Sequence, residues 1–179
     1  MPMQNVTKPA ATDGGKFLSL FLSKEEYGIE ILKVREIIGM VDVTPLPRTP
    51  EFVRGVINLR GKIIPVVDLR LKFGMAAAPY THETCIVVVE VDRDAETSMQ
   101  VGCIVDTVSE VLTVDADMCE GPPRCAHAAG DYIAGLGKLA ERVLILLDID
   151  RVLSDVAPTN GTAGNGPGSN GPGSNGTGI

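Results

Sequence analysis

Tryptophan is absent from this 179-residue chain, and only four phenylalanines and three tyrosines accompany it. The core must therefore be aliphatic, built from the Val, Ile and Leu runs, and such runs favour strands. Histidine is scarce: neither His82 nor His127 has a neighbouring Ser or Cys in a catalytic motif. No glycine-rich loop leads into Lys-Ser or Lys-Thr, and there is no nucleophile elbow, so phosphate-cradling and acyl-transfer chemistry lack their usual carriers. No apolar run approaches the ~20 residues of a membrane helix, and residues 1–15 lack the charged start and apolar stretch of a secretory signal. These absences predict a cytoplasmic, non-catalytic protein with no direct membrane insertion and no cofactor. Disulfides are not expected, because the apolar settings of Cys85 and Cys103 read as buried thiols in a reducing compartment.

Positive charge is also scarce in the second half of the chain. The net charge is −7. Residues 17–80 carry nine Lys or Arg against seven Asp or Glu, whereas residues 81–157 carry five against fifteen. An acidic second half repels phosphate backbones, and no basic stripe offsets it, so nucleic acid is excluded and basic protein surfaces are favoured. From Pro158 to the end there is no charged residue and no large apolar side chain before Ile179, and Asn-Gly-Pro-Gly-Ser at 165–169 recurs at 170–174. Nothing there can offset ordering entropy. Residues 1–15 and 158–179 are therefore expected to be disordered, leaving a folded body over 16–157.

Within that body, short aliphatic segments bounded by polar or Gly turns predict strands at 17–22, 27–31, 53–59, 62–67, 85–91, 99–105 and 142–147. Residues 24–26 and 92–97 read as hairpin tips. Arg60-Gly61 reads as a tight turn in which Gly supplies the positive φ. Asp68, followed by Leu69, Lys72, Phe73 and Gly74, reads as a short capped helix.

Sliding the first half over the second exposes a repeat. At an offset of 74, Gly28 falls on Gly102, Ile31 on Val105, Val34 on Val108, Glu36 on Glu110, and Ile37-Ile38 on Val111-Leu112. At an offset of 80, Gly55 falls on Gly135, Ile63-Ile64 on Val143-Leu144, Val66-Val67 on Leu146-Leu147, and Asp68-Leu69 on Asp148-Ile149. The expected fold is all-β with short helices: two packed, five-stranded small barrels, with halves at about 16–80 and 81–157. A unit of ~65 residues buries only about 60% of its unfolded surface. The two barrels should therefore share an apolar interface, and the groove where they meet is a natural docking place.

Among individual residues, Arg60 stands out because a charge at a hairpin tip is displayed without being needed for folding. A guanidinium there can reach a partner's carboxylate bidentately, against the plainer reading of a solvated turn residue. The apolar spacing Ile31, Val34, Ile37, Ile38 leaves Lys33, Arg35 and Glu36 outward if the segment forms a helical turn. Gly102 marks either a close backbone approach or a bulge. Cys119, Cys125 and His127 lie within nine positions of each other, but their spacing does not fit a four-ligand zinc site, and 120–129 reads as a surface loop. Asp68 and Asp148 occupy equivalent helix caps in the repeat, which accounts for them without catalysis.

The runs at 26–37 and 50–70, with Asn58-Leu59-Arg60-Gly61 followed by Ile64-Pro65-Val66-Val67-Asp68-Leu69, and Asp131 to Gly137, closely resemble the CheW family. The resemblance spans nearly the whole folded region. It implies a non-catalytic chemotaxis adaptor that binds the regulatory domain of the histidine kinase CheA and the cytoplasmic tips of chemoreceptors, recruited to membrane-associated receptor arrays. It also implies that the N-terminal strand completes the barrel of the second half. Carried over to this sequence, the partner contacts are Val34, Glu36, Asn58, Arg60, Gly61 and Gly102; no catalytic, cofactor or metal residues follow. Glu120, Arg124 and Cys125 depart from the basic and aromatic groups that family members present in that loop for ring contacts. Alternatives are an adaptor for a similar kinase in a non-motility pathway, a small-ligand-binding barrel in the inter-barrel groove, and a metal-dependent enzyme at Cys119, Cys125 and His127.

Overall fold

The computed structural model describes residues 13–122 and 132–157. The expectations for residues 1–12, for Asp131, Arg124, Cys125 and His127, and for the tail at 158–179 lie outside those residues.

Among the described residues eleven strands form two sheets. In chain order they are β1 (Gly15–Leu22), β2 (Glu25–Glu30), β3 (Val34–Gly39), β4 (Val53–Leu59), β5 (Lys62–Asp68), β6 (Cys85–Asp92), β7 (Ser98–Val105), β8 (Thr107–Val114), β9 (Cys119–Glu120), β10 (Ile133–Lys138) and β11 (Val143–Leu147). Helix α1 (Leu69–Lys72) follows β5 and α2 (Ile149–Val152) follows β11. Both helices are capped as the repeat predicts. The Asp68 carboxylate accepts from Arg70 N at 2.9 Å and that of Asp148 from Arg151 N at 3.2 Å, each filling an orphan donor of the first turn.

One sheet runs β8-β1-β2-β11-β10-β9 and the other β3-β6-β7-β5-β4. The expectation of five strands each is corrected to six and five, the sixth being the two-residue β9. Under the repeat, the hairpin β1–β2 matches β6–β7, and β3, β4, β5 match β8, β10, β11. Each sheet therefore takes its leading hairpin from one half and its other three long strands from the other half. The exchange is reciprocal and keeps register: Val66 pairs with Gly102 in parallel between β5 and β7, and Leu146 with Gly28 between β11 and β2. Bulges repeat too, between Val53 and Gly55 and between Ile133 and Gly135. At Gly55 the backbone has φ +139, and an added Cβ would lie 2.0 Å from Thr44 O, a close approach that only glycine permits.

Both sheets curl because the chain beyond the third strand bends back onto the fourth. Beyond β3, Thr44 bridges Val56 of β4; beyond β8, β9 pairs with Leu136 and Gly137 of β10. Inside the first barrel lie Ile57, Ile64, Val66, Ile86, Val88 and Ile104; inside the second lie Phe17, Val114, Leu144 and Leu146. A larger third cluster, including Leu18, Leu20, Leu22, Ile29, Val67, Val87, Val89, Val91, Val101 and Leu147, lies between the barrels. This explains the unbroken apolar run of β6. Ile86 and Val88 face the barrel interior, Val87, Val89 and Val91 face the other barrel, and a strand buried on both faces needs no polar alternation. Each such residue is worth roughly 1.5–3 kcal/mol relative to exposure. Three aromatics meet at this interface, with Tyr27 stacked on Phe73 at 5.7 Å and Phe73 tilted against Tyr132 at 5.9 Å.

Candidate partner-docking site

Four of the six expected contact residues meet at one end of the first barrel. Arg60 and Gly61 turn the β4–β5 hairpin, and both have positive φ, +54 and +86. That combination is the signature of the two-residue turn whose twist suits a hairpin. Glycine therefore supplies only half of the left-handed backbone that the sequence led us to expect from it; Arg60 accepts the other half at a modest steric cost. Asn58 fixes the tip, its Oδ1 accepting from Gly61 N at 2.8 Å.

Arg60 does not stand free at this tip. Its Nη1 and Nη2 donate to the two carboxylate oxygens of Glu36 at 3.0 and 2.7 Å, a bidentate fork across the gap between β3 and β4–β5. The strands involved stand at opposite edges of the open sheet order, so the pair spans the seam of the barrel. The Arg60 side chain remains 77% exposed while that of Glu36 is 24% exposed. The guanidinium thus offers its outer edge to solvent with its orientation fixed in advance.

Residues 34–39 are corrected from a helical turn to a strand. Only Ile31–Lys33 form a short 3-10 turn, and β3 then alternates with period two. The helical reading failed because β-branched residues at 31, 34, 37 and 38 satisfy both periods when a bulge interrupts the strand, here between Val34 and Glu36. Arg35 pairs with Glu90, and Lys33 with Asp92 and Asp150, so the outward charges are largely engaged. Val34 is half-buried and packs at the rim of the inter-barrel core.

Gly102, read from the sequence as a close backbone approach or a bulge, is a packing position. It lies buried in β7, where an added Cβ would come within 2.8 Å of Ile86 Cγ2 and 3.5 Å of Val66 Cγ2. A partner could sense this residue only through the shape of the barrel.

Apolar display around the site escaped the sequence reading. Leu32, on the crossover between β2 and β3, is 82% exposed, and Ile37 and Ile63 are exposed on β3 and β5. Their repeat counterparts Val111 and Val143 are exposed on the second barrel. The signal was available as the repeat itself, since solvent-facing apolar residues that recur at equivalent positions are not random. The second barrel lacks the Arg60 tip, because Ala140 stands there. Arg142 serves its mouth instead, with Nε 2.7 Å from the buried Glu26, which also accepts from Ser19, and Nη2 3.7 Å from Glu110. A groove of about 690 Å³ lined by Phe21, Glu26, Glu110, Leu136 and Arg142 opens there.

Cys103 is fully buried and its thiol is pushed up to about 12 by desolvation. Among the described residues no group of His, Cys, Asp or Glu is arranged to hold a metal ion. The metal hypothesis itself rests on Cys125 and His127, outside those residues. No helix among them is long and apolar enough to cross a membrane.

Two curled sheets with exchanged hairpins, and a fixed guanidinium fork at one barrel mouth, define an all-β binding scaffold. The model of the CheW-like domain matches residues 16–157. A chemotaxis protein CheW of Klebsiella aerogenes is 44% identical over 144 residues, covering 80% of this chain and 84% of that protein. A chemotaxis protein CheW of Rhizobium meliloti is 34% identical over 151 residues, covering 84% and 94%. The crystal structure of a scaffolding protein CheW from Thermoanaerobacter tengcongensis superposes with a TM-score of 0.71 at 34% identity, covering 78% of this chain and 92% of that one. The chain belongs to the CheW-like domain family, and its function is that of a chemotaxis scaffold.

Proposed function

We propose that this scaffold works without catalysis in the cytoplasm, holding the regulatory domain of the histidine kinase CheA against the tips of chemoreceptors in membrane-associated arrays. The observation that carries this reading is the Arg60–Glu36 fork, locked by the Asn58-supported turn and flanked by exposed Ile37 and Ile63. An oriented charge beside apolar surface is the usual make-up of a small protein interface, in which the apolar part contributes burial and the fork contributes register. Glu36, Asn58, Arg60 and Gly61 form that surface, Val34 borders it on β3 at the rim of the inter-barrel core, and Gly102 supports it from beneath. Signal passes by shifting populations of the bound kinase.

The test is calorimetric titration of the purified chain with the isolated regulatory domain of a CheA kinase from the same cell. One-to-one binding on the order of micromolar, as suits a reversible adaptor interface, is expected. Absence of heat together with absence of co-elution at high concentration refutes the kinase part of the reading.

A further inference from the structure

The two barrels are held together by a pair of charge clasps that the repeat relates but does not copy. In the first, Arg70 of α1 grips Asp106 in the crossover between β7 and β8, with Nε to Oδ1 at 2.6 Å and Nη2 on Oδ2. Asp106 also accepts from Ser23 N, at the tip of the β1–β2 hairpin, at 2.7 Å. In the second, Asp150 of α2 meets Lys33 in the crossover between β2 and β3 at 2.9 Å. Asp150 also accepts from Asp92 N, at the tip of the β6–β7 hairpin, at 2.9 Å.

Each clasp thus joins a helix start, a crossover and the tip of the other barrel's hairpin. Arg70 and Asp150 are repeat equivalents at the offset of 80; the two crossovers correspond at the offset of 74, where Asp106 falls on Leu32, the neighbour of Lys33, so the crossover charges lie one residue apart in the repeat. The polarity is reversed: cation on the helix and anion on the crossover in one, anion on the helix and cation on the crossover in the other.

We propose that this reversal selects the exchanged pairing of the two halves over the unexchanged one. Were each hairpin to join its own half, α1 would face the β2–β3 crossover and α2 would face the β7–β8 crossover. Arg70 would then oppose Lys33, and Asp150 would oppose Asp106. Like charges at partly buried positions are a penalty that exists only in the competing structure, which is how a specificity device differs from a stabilising contact. The backbone register cannot supply it, since the two hairpins offer a glycine at the same register, Gly28 against Leu146 and Gly102 against Val66. The faces themselves differ only in part, the buried Ser19 of β1 standing where β6 has Val88.

The experiment is refolding of the full chain from urea, read by amide NOEs from Gly28. Contact with Leu146 reports the exchanged pairing and contact with Val66 the unexchanged one. In the double variant Arg70→Asp with Asp106→Arg, both clasps have one polarity and both pairings are charge-compatible. The unexchanged fraction of refolded monomer should rise at least about tenfold over that of the unmodified chain. A second pair, Arg70→Gln with Asp150→Gln, removes both like-charge encounters without creating new ones, and should shift the fraction in the same direction by less. It decides the matter if the first variant does not fold. Gly28 contacts confined to Leu146 at unchanged yield, in whichever variant folds, would overturn the proposal.

Discussion

Arg60 can be removed to ask whether its fork serves folding or docking. In Arg60→Ala, the lost pair is an exposed one, 77% open on the arginine side, and exposed pairs contribute roughly 0.2–1 kcal/mol. Loss of a left-handed non-glycine residue does not add to this, because alanine at φ +54 bears a similar cost. For a domain of this size, 1 kcal/mol corresponds to about 2–4 °C in Tm, so a fall of no more than about 5 °C is expected. Binding to the CheA regulatory domain should weaken by more than ~1 kcal/mol, the threshold that marks a residue dominating an interface. Glu36→Ala should do the same, and the double variant should cost clearly less than the two single losses together, because each residue positions the other. Circular-dichroism melting and calorimetric titration of the four proteins complete the cycle. A Tm drop beyond about 10 °C, or strictly additive binding losses, would refute the reasoning that the fork is a pre-set docking element.

Overpacking at Gly102 should destabilise by about 1–3 kcal/mol in Gly102→Ala, since the new methyl meets a branched side chain fixed in the barrel core; urea unfolding checks this. Gly28→Ala should cost less, because its nearest contacts, at 3.0 Å and beyond, are Cδ2 and Cγ of Leu144 and Cδ2 of Leu146, looser than the 2.8 Å approach to Ile86 at Gly102. Iodoacetamide at pH 8 should leave Cys103 unmodified in the folded chain and label it once the chain is unfolded, as mass spectrometry would show, since its thiol is buried and raised to about 12. Burial alone would raise the Asp106 carboxyl, but hydrogen bonds from Arg70 and Ser23 N outweigh it and hold the group below its ordinary value. A depressed folded-state value gives stability that is present above the unfolded carboxylate range and lost as pH falls through the folded one. Acid titration of stability should therefore be shallower in Asp106→Asn, and an identical slope would remove Asp106 as its source.

Local chemistry was legible from the chain alone. Aliphatic runs between polar turns placed β1, β2, β4, β5, β6, β7 and β11 within a residue or two, because a strand buried on one or both faces has to be written in Val, Ile and Leu. Asp68 and Asp148 declared their helices, because an N-cap needs an acceptor on a short side chain. The repeat declared two similar units, and the family motif around Asn58-Leu59-Arg60-Gly61 marked the hairpin that carries the docking fork. β8 and β10 were less visible: both face solvent on one side, and β10 is loosened by Gly135 and Gly137.

Tertiary structure decided which hairpin joins which barrel, and so which side chains meet. A period of two says which face of a strand is buried, but it carries no name for the neighbouring strand, and here two hairpins offer a glycine at equivalent register. For the same reason the sequence displayed Arg60 as a free charge, whereas curling of the sheet brings Glu36 within reach from 24 residues away. What Gly102 packs against was likewise decided only once β5 was laid beside β7. Composition and pattern determined the pieces and their buried faces; contacts distant in the chain, set by closure of the barrels and exchange of the hairpins, determined the site.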